Sequence, residues 1–252
     1  MMKREMENEI AIVTGAGRGI GADIAMTLAS AGCRVIVNYR KSDDQANTLV
    51  SKIQQAGGTA LAVRADITQI EETQNLLNQT VDQFGAPTIL VNNAGPGIIS
   101  KKIVKTDWDD FQACFETGVK SAFNCSKSVG ALMMKNRRGS IVNIATQFAF
   151  GLPPIAMATY VTAKYALVGF SKCLAAELAP FGVNVNMVSP GLTETDLVSH
   201  IPKSFKQAFA EGTPLKRNTE CSDISNAVLF LVSKSSGFIT GVNLPVCGGN
   251  VM

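Results

Sequence analysis

The stretch Thr14-Gly15-Ala16-Gly17-Arg18-Gly19-Ile20-Gly21 decides the fold. An apolar, β-branched run, Ile10–Thr14, leads into it, and an amphipathic pattern from about Gly19 to Ala31 leads out. Strand, tight turn and helix in that order open a βαβ unit. Glycines allow a sharp turn and let backbone N–H groups approach a bound anion, and the amino terminus of the following helix adds partial positive charge. A turn of this kind suits a dinucleotide pyrophosphate. Its spacing is T-G-x-x-x-G-x-G and not G-x-G-x-x-G, because position 20 is Ile.

The alternation continues along the chain. Arg34–Asn38 precedes a helical pattern over Asp43–Ala56, and Ala60–Ala65 precedes one over Ile70–Phe84. Thr88–Asn92 leads through a loop to a long helix, about Asp107–Lys135. Ser140–Thr146 leads through an apolar loop to a helix from about Ala156 to Ala179. Val183–Ser189 is followed by a variable segment with a short helix near Lys203–Ala210, then a helix over Cys221–Ser233 and a last strand, Phe238–Val246. Seven strands alternating with helices predict a parallel sheet covered on both faces, since parallel strands need crossover connections. No linker, repeat or low-complexity tract interrupts the pattern. Residues 1–252 therefore read as a single doubly wound α/β domain of the Rossmann type, with a substrate lid at about 193–215.

Composition narrows the chemistry. Of 252 residues 46% are hydrophobic and 17% charged, as in a well-buried globular chain. A net charge of +3, from 23 basic and 20 acidic residues, is too balanced for a dedicated nucleic-acid binder. The lone histidine, His200, leaves too few ligands for most zinc sites, and no metal centre is expected. The amino terminus mixes both charge signs without an apolar h-region, so it does not read as a signal peptide. The longest uncharged stretch, Gly139–Ala163, contains Asn143, Gln147 and Pro153-Pro154, which argues against a membrane span. Six cysteines without C-x-x-C spacing read as small core residues of a cytoplasmic protein.

Two further groups carry chemistry. The second strand ends Val37-Asn38-Tyr39-Arg40-Lys41, with no acid before Asp43. An NAD site usually places Asp or Glu there, whereas Arg18, Arg40 and Lys41 suit a ribose 2′-phosphate, so NADP(H) is expected over NAD(H). Tyr160 and Lys164 are four apart in a helical pattern and share one face. An ammonium ~4.5 Å from a phenol, at an effective dielectric of ~20, would favour phenolate by roughly 3–4 kcal/mol, or two to three pKa units. Such a pair performs acid–base chemistry without histidine.

Thr14–Gly21, Asn92-Asn93-Ala94-Gly95, Tyr160-x-x-x-Lys164 and Pro190-Gly191 together resemble the short-chain dehydrogenase/reductase family, most closely its 3-oxoacyl-(acyl carrier protein) reductase type. The resemblance extends from residue 9 to 249, with further matches at Ala65-Asp66-Ile67, Pro190–Asp196, Ile239-Thr240-Gly241 and Gly248-Gly249. It implies that Gly15, Arg18, Gly19, Ile20 and Gly21 hold the phosphates, with Asn38 and Arg40 beside them. It implies that Asp66 and Ile67 frame the adenine, and that Asn92, Ala94 and Gly95 line the cofactor. Tyr160 would act as general acid, and Lys164 would hold the nicotinamide ribose and tune the tyrosine. Pro190, Gly191 and Thr195 would seat the nicotinamide. The implied reaction is NADPH-dependent reduction of a small-molecule or carrier-bound ketone, such as a 3-oxoacyl thioester, to a secondary alcohol. The implied assembly is a homotetramer.

Two positions depart from the family. Its catalytic serine corresponds to Thr146 by strand register and to Gln147 by counting back from Tyr160; Thr146 is preferred. Its helix asparagine aligns with Gly118, which keeps a carbonyl but no side chain. These departures motivate one alternative, a nucleotide-binding but non-catalytic partner subunit; a further alternative keeps the enzyme but runs it as an NAD-dependent alcohol dehydrogenase. Elsewhere, Lys135, Arg137 and Arg138 could dock an acyl carrier protein or merely complement a helix dipole. Trp108 reads as a packing aromatic at a capped helix start, and His200 as a surface residue of the lid.

Overall fold

The computed structural model describes residues 6–199 and 201–251. Seven parallel strands form one sheet in the order β3-β2-β1-β4-β5-β6-β7. They are β1 (Ile10–Val13), β2 (Arg34–Tyr39), β3 (Thr59–Arg64), β4 (Ile89–Asn92), β5 (Gly139–Ile144), β6 (Val183–Pro190) and β7 (Asn243–Val246). The helices are α1 (Gly19–Ser30), α2 (Asp43–Gln55), α3 (Ile70–Phe84), α4 (Trp108–Phe115), α5 (Ser121–Asn136), α6 (Ala158–Leu178), α7 (Lys203–Gly212) and α8 (Cys221–Val232). The strand order reverses direction between β1 and β4, where a crevice opens at the carboxyl ends of the strands.

Alternation along each strand divides the core. Val13, Val35, Val37, Val91 and Val142 face α1, α2 and α8, where Ile24, Leu28, Leu49 and Val228 cover them. Ile12, Ile36, Leu90, Ile141 and Val185 face the other way, onto Leu76 of α3, Val129 and Met133 of α5 and Leu178 of α6. Both faces are dry, so the central strands read as unbroken apolar runs.

Two elements differ from the sequence expectation. The long helix over 107–135 is two helices, α4 and α5, joined by a π-helical turn at Glu116–Lys120 that contains Gly118. Its start is capped as expected, with Asp107 and Asp110 in a capping box, but Trp108 is 76% exposed and stacks only on Phe111. The last strand begins at Asn243 and not Phe238, because Gly241 takes a left-handed conformation (φ +77°) that breaks the extended chain. Its Pro245 is tolerated because β7 is an edge strand. The expected lid holds a 3-10 turn, Asp196–Val198, and α7, no residue of which is buried. His200 lies outside the described residues.

Cys33, Cys114, Cys125 and Cys247 are buried, but Cys173 is exposed and Cys221 half-buried. Among the described residues no helix is long and apolar enough to cross a membrane.

Ile36 is fully buried at the centre of the second core layer. Replacing it with alanine leaves a cavity that neighbours fill only partly, so Ile36→Ala should lower unfolding stability by about 2–5 kcal/mol in urea titrations.

Candidate active site

The glycine turn sits against the loop after β4. A methyl group at position 15 would lie 3.0 Å from Cα of Ala94, and Gly15 is left-handed (φ +60°). Only glycine suits both demands. Thr14 and Asn93 lock the two segments together. Thr14 Oγ1 accepts from the backbone N–H of Asn93 (3.0 Å) and Ala94 (3.1 Å), and Asn93 Nδ2 donates to the carbonyls of Thr14 (2.9 Å) and Gly15 (3.2 Å). Asn38, buried at the end of β2, donates to the carbonyls of Val63 and Ala65 and accepts from Gly15 N–H, so it ties the turn to β3. The turn therefore holds its shape through bonds from three strands.

Asp66 follows β3. Partial burial raises its carboxyl, but hydrogen bonds from Thr68 and the Arg40 guanidinium outweigh this and hold it below the usual range. Arg40 and Asp66 form an ion pair at 3.2 Å. A pocket of about 270 Å³ opens here, lined by Arg40, Lys41, Arg64, Asp66 and Glu72. The expectation that Arg18 joins Arg40 and Lys41 is corrected. Arg18 reaches across the crevice to Asp196 (3.2 Å), and Arg64 is the third cation. Arg64 stands two residues before Asp66, and its register partner is Tyr39, next to Arg40, which is the signal that could have found it.

At the carboxyl end of β5, Thr146 and Tyr160 come together. Both are buried, and the Thr146 hydroxyl stands close enough to the phenol to favour its ionised form. Gln147 is also buried, but its Oε1 has no partner among the described residues, and Thr146 is the hydroxyl that meets the tyrosine. Lys164, one helical turn after Tyr160, is 4% exposed, and its Nζ donates to the Ile144 carbonyl at 2.6 Å. Gly95 makes room for it, since a methyl there would lie 3.2 Å from Nζ.

The expected lowering of Tyr160 by Lys164 is not what this geometry produces. The ammonium lies 5.9 Å from the phenol ring centroid. Burial raises the tyrosine, the Thr146 hydrogen bond pulls it back in part, and negative charge on Cys114 would raise it further. Burial also lowers Lys164, to about 8. Desolvation penalises each charged form, and no close ion pair repays it.

Asn92 lies on β4 as expected, but its side chain turns into the protein. It donates to Ser126 Oγ (3.1 Å) and Asn143 Oδ1 (2.7 Å) and so does not line the crevice. Pro190 ends β6, Gly191 N–H bonds the Val246 carbonyl, and Thr195 packs over Gly19. Ile20 is half-buried in the first turn of α1, and Ile67 is buried beside α3. Lys135, Arg137 and Arg138 lie at the amino-terminal end of β5, about 20 Å along the strand from its carboxyl end, where Tyr160 sits. There Arg138 pairs with Glu9, and Arg137 donates to the Pro180 carbonyl.

The lysine shift has a sign that can be checked. Between pH 8 and the ordinary lysine value of 10.5, the unfolded chain binds a proton at Lys164 that the native chain lacks. The burial penalty is thus fully present below pH 8 and relieved as pH rises through that window. Relative to Lys164→Met, the parent should gain roughly 3 kcal/mol of stability from pH 7.5 to 10.5. Urea titrations across that range measure it.

The family model described as enoyl-(acyl carrier protein) reductase matches residues 15–250. The 3-oxoacyl-[acyl-carrier-protein] reductase FabG of Staphylococcus epidermidis is 38% identical over 248 residues, 97% of this chain and 100% of that one. A 2,3-dihydro-2,3-dihydroxybenzoate dehydrogenase of Bacillus subtilis is 38% identical over 263 residues, 99% of this chain and 98% of that one. A solved 7 alpha-hydroxysteroid dehydrogenase, complexed with NADH and 7-oxo glycochenodeoxycholic acid, superposes with a TM-score of 0.93. It is 37% identical, and the match covers 100% of this chain and 98% of that one. With the glycine turn, the Asn93 lock and the buried Tyr160–Lys164 helix on one crevice, these likenesses make the chain an oxidoreductase of the short-chain dehydrogenase/reductase family.

Proposed function

We propose that this protein is an NADPH-dependent ketoreductase with Tyr160 as its general acid. The observation that carries this reading is the buried Tyr160 beside Thr146, one turn before a buried lysine and beside the glycine turn. The crevice fits a dinucleotide: a side chain at position 15 would collide with Ala94, and the backbone there leaves an open cradle at the start of α1. Gly15, Gly19, Ile20 and Gly21 would hold the pyrophosphate, Asp66 and Ile67 the adenine, and Ala94 and Gly95 the adjoining ribose. Pro190, Gly191 and Thr195 would border the nicotinamide. When bound, NADPH supplies a hydride for the carbonyl carbon. Tyr160 gives its proton to the carbonyl oxygen, Thr146 donates a hydrogen bond to the same oxygen, and Lys164 holds the ribose hydroxyls.

Arg40, Lys41 and Arg64 support NADPH over NADH. They bring three cations to one pocket against the two carboxylates of Asp66 and Glu72. The raised phenol supports reduction, since a general acid must carry its proton at working pH. The substrate would be a small or carrier-bound ketone, as the names of the reductase relatives suggest. Docking of an acyl carrier protein at Lys135–Arg138 of the same chain does not suit the geometry, because those residues lie at the amino-terminal end of the strands, away from the crevice. A homotetramer would cover the exposed Phe123 and Tyr165 of α5 and α6, and the exposed Phe230 and Phe238 around α8.

A panel of 3-oxoacyl thioesters and cyclic ketones, followed by NADPH consumption, tests the reaction. Tyr160→Phe should lower kcat at least about a hundredfold with cofactor affinity intact. Cofactor binding with no turnover across the panel would favour the non-catalytic subunit instead. Arg64→Ala should weaken NADPH about tenfold and leave NADH within about twofold. A parent that binds NADH more tightly would overturn the assignment of the pocket.

A further inference from the structure

Beneath the site runs a directional chain of buried hydrogen bonds. Asn92 Nδ2 on β4 donates to Asn143 Oδ1 on β5 at 2.7 Å. Asn143 Nδ2 donates to Ser171 Oγ on α6 at 2.7 Å. Ser171 Oγ donates to the Leu167 carbonyl at 2.6 Å. At its other end Asn92 Nδ2 also donates to Ser126 Oγ of α5, at 3.1 Å. All four side chains are at most 4% exposed. Asn92 Oδ1 has no partner among the described residues, so the amide keeps its direction for the sake of its two donated bonds.

The placement of this chain relative to Lys164 is specific. Lys164, Leu167 and Ser171 are spaced i, i+3 and i+7, which puts them on one stripe of α6. Asn143 immediately precedes Ile144, whose carbonyl accepts from Lys164 Nζ. The Asn143–Ser171 bond and the Ile144–Lys164 bond therefore join the same strand to the same helix stripe, two turns apart. Sliding or rolling α6 on β5 would strain both.

We propose that Asn143 and Ser171 are positioning residues that hold α6 in register on β5, so that the Lys164 ammonium stands at the mouth of the crevice. Ser171 acts only through Lys164. Ser126, on the opposite end of the chain, bonds α5 and does not share this role. The inference rests on the cofactor-binding part of the reading above, not on its ketone chemistry.

A double-mutant cycle in NADPH binding, read by cofactor fluorescence, tests it. Ser171→Ala and Lys164→Ala should each weaken NADPH about tenfold, and the double variant should be no more than about twofold weaker than Lys164→Ala alone. Ser126→Ala loses a bond of the same kind and should keep its affinity within about twofold. Ser171→Thr, which retains the hydroxyl, should restore binding. If Ser171→Ala does not fold, Ser171→Cys replaces it in the cycle. Additive losses, an unchanged Ser171→Ala, or an equal loss in Ser126→Ala would each overturn the proposal. A parent that binds NADPH but reduces no ketone leaves this test standing, so the two readings fail separately.

Discussion

The contact on which the site depends is the bond from the buried Lys164 ammonium to the carbonyl of Ile144. A charged amine taken out of water loses several kcal/mol unless its donors are met, and here one neutral acceptor meets it. The helix accepts this burial and so places a cation beside Gly95 at the crevice. Three features make room for it. Gly95 withholds a side chain, β5 ends at Ile144 with its carbonyl free of the sheet, and α6 presents Lys164 on its buried stripe. Tyr160 lies one turn earlier on the same helix, so any shift of α6 moves both groups together. The burial that lowers Lys164 raises Tyr160, and a phenol that keeps its proton is suited to giving it away.

The crevice also needs two loops from distant parts of the chain to stay in contact. The β1 turn and the β4 loop are 77 residues apart along the chain where Thr14 Oγ1 donates to the Val91 carbonyl. Reversal of the strand order between β1 and β4 brings them side by side, and Thr14 and Asn93 complete the join. Each bond contributes about 1 kcal/mol, a small sum, but together they remove the freedom of the one segment whose N–H groups must converge on a ligand. Rigidity at this join is therefore worth more to binding than to stability.

The period of the apolar residues made the sheet and most helices legible, since both faces are buried and strands and helices alternate without interruption. The glycine turn, Tyr160 and Lys164 were legible because few other arrangements explain them. Other features depended on contacts between distant residues. The π-helical turn at Glu116–Lys120 leaves the helical pattern of Asp107–Lys135 intact to the eye. The sequence pattern names Arg18 with Arg40 and Lys41 and does not reach Arg64, because the pocket is set by the register of β2 on β3. Asn92 carried a family role in the crevice, yet strand alternation turns it to Asn143 and Ser126. The shift of Tyr160 goes against expectation because the attraction to the ammonium was weighed without the burial penalty on the phenolate, and the structure buries both partners.

Gly118, the larger departure from the family pattern, gains a physical account from its neighbours. A methyl group at 118 would stand 3.0 Å from Cδ and 3.3 Å from Cγ of Pro96, and 3.6 Å from Ala163. Pro96 directly follows the Asn93-Ala94-Gly95 segment that borders the lysine. Its ring borders the space that a side chain at 118 would enter, so a side chain there would need Pro96 to give by a few tenths of an ångström. The space beside the absent side chain is occupied by a proline ring. The π-helical turn fits the same account: it widens the helix where Gly118 meets Pro96 and loosens the carbonyls of that turn from the regular ladder.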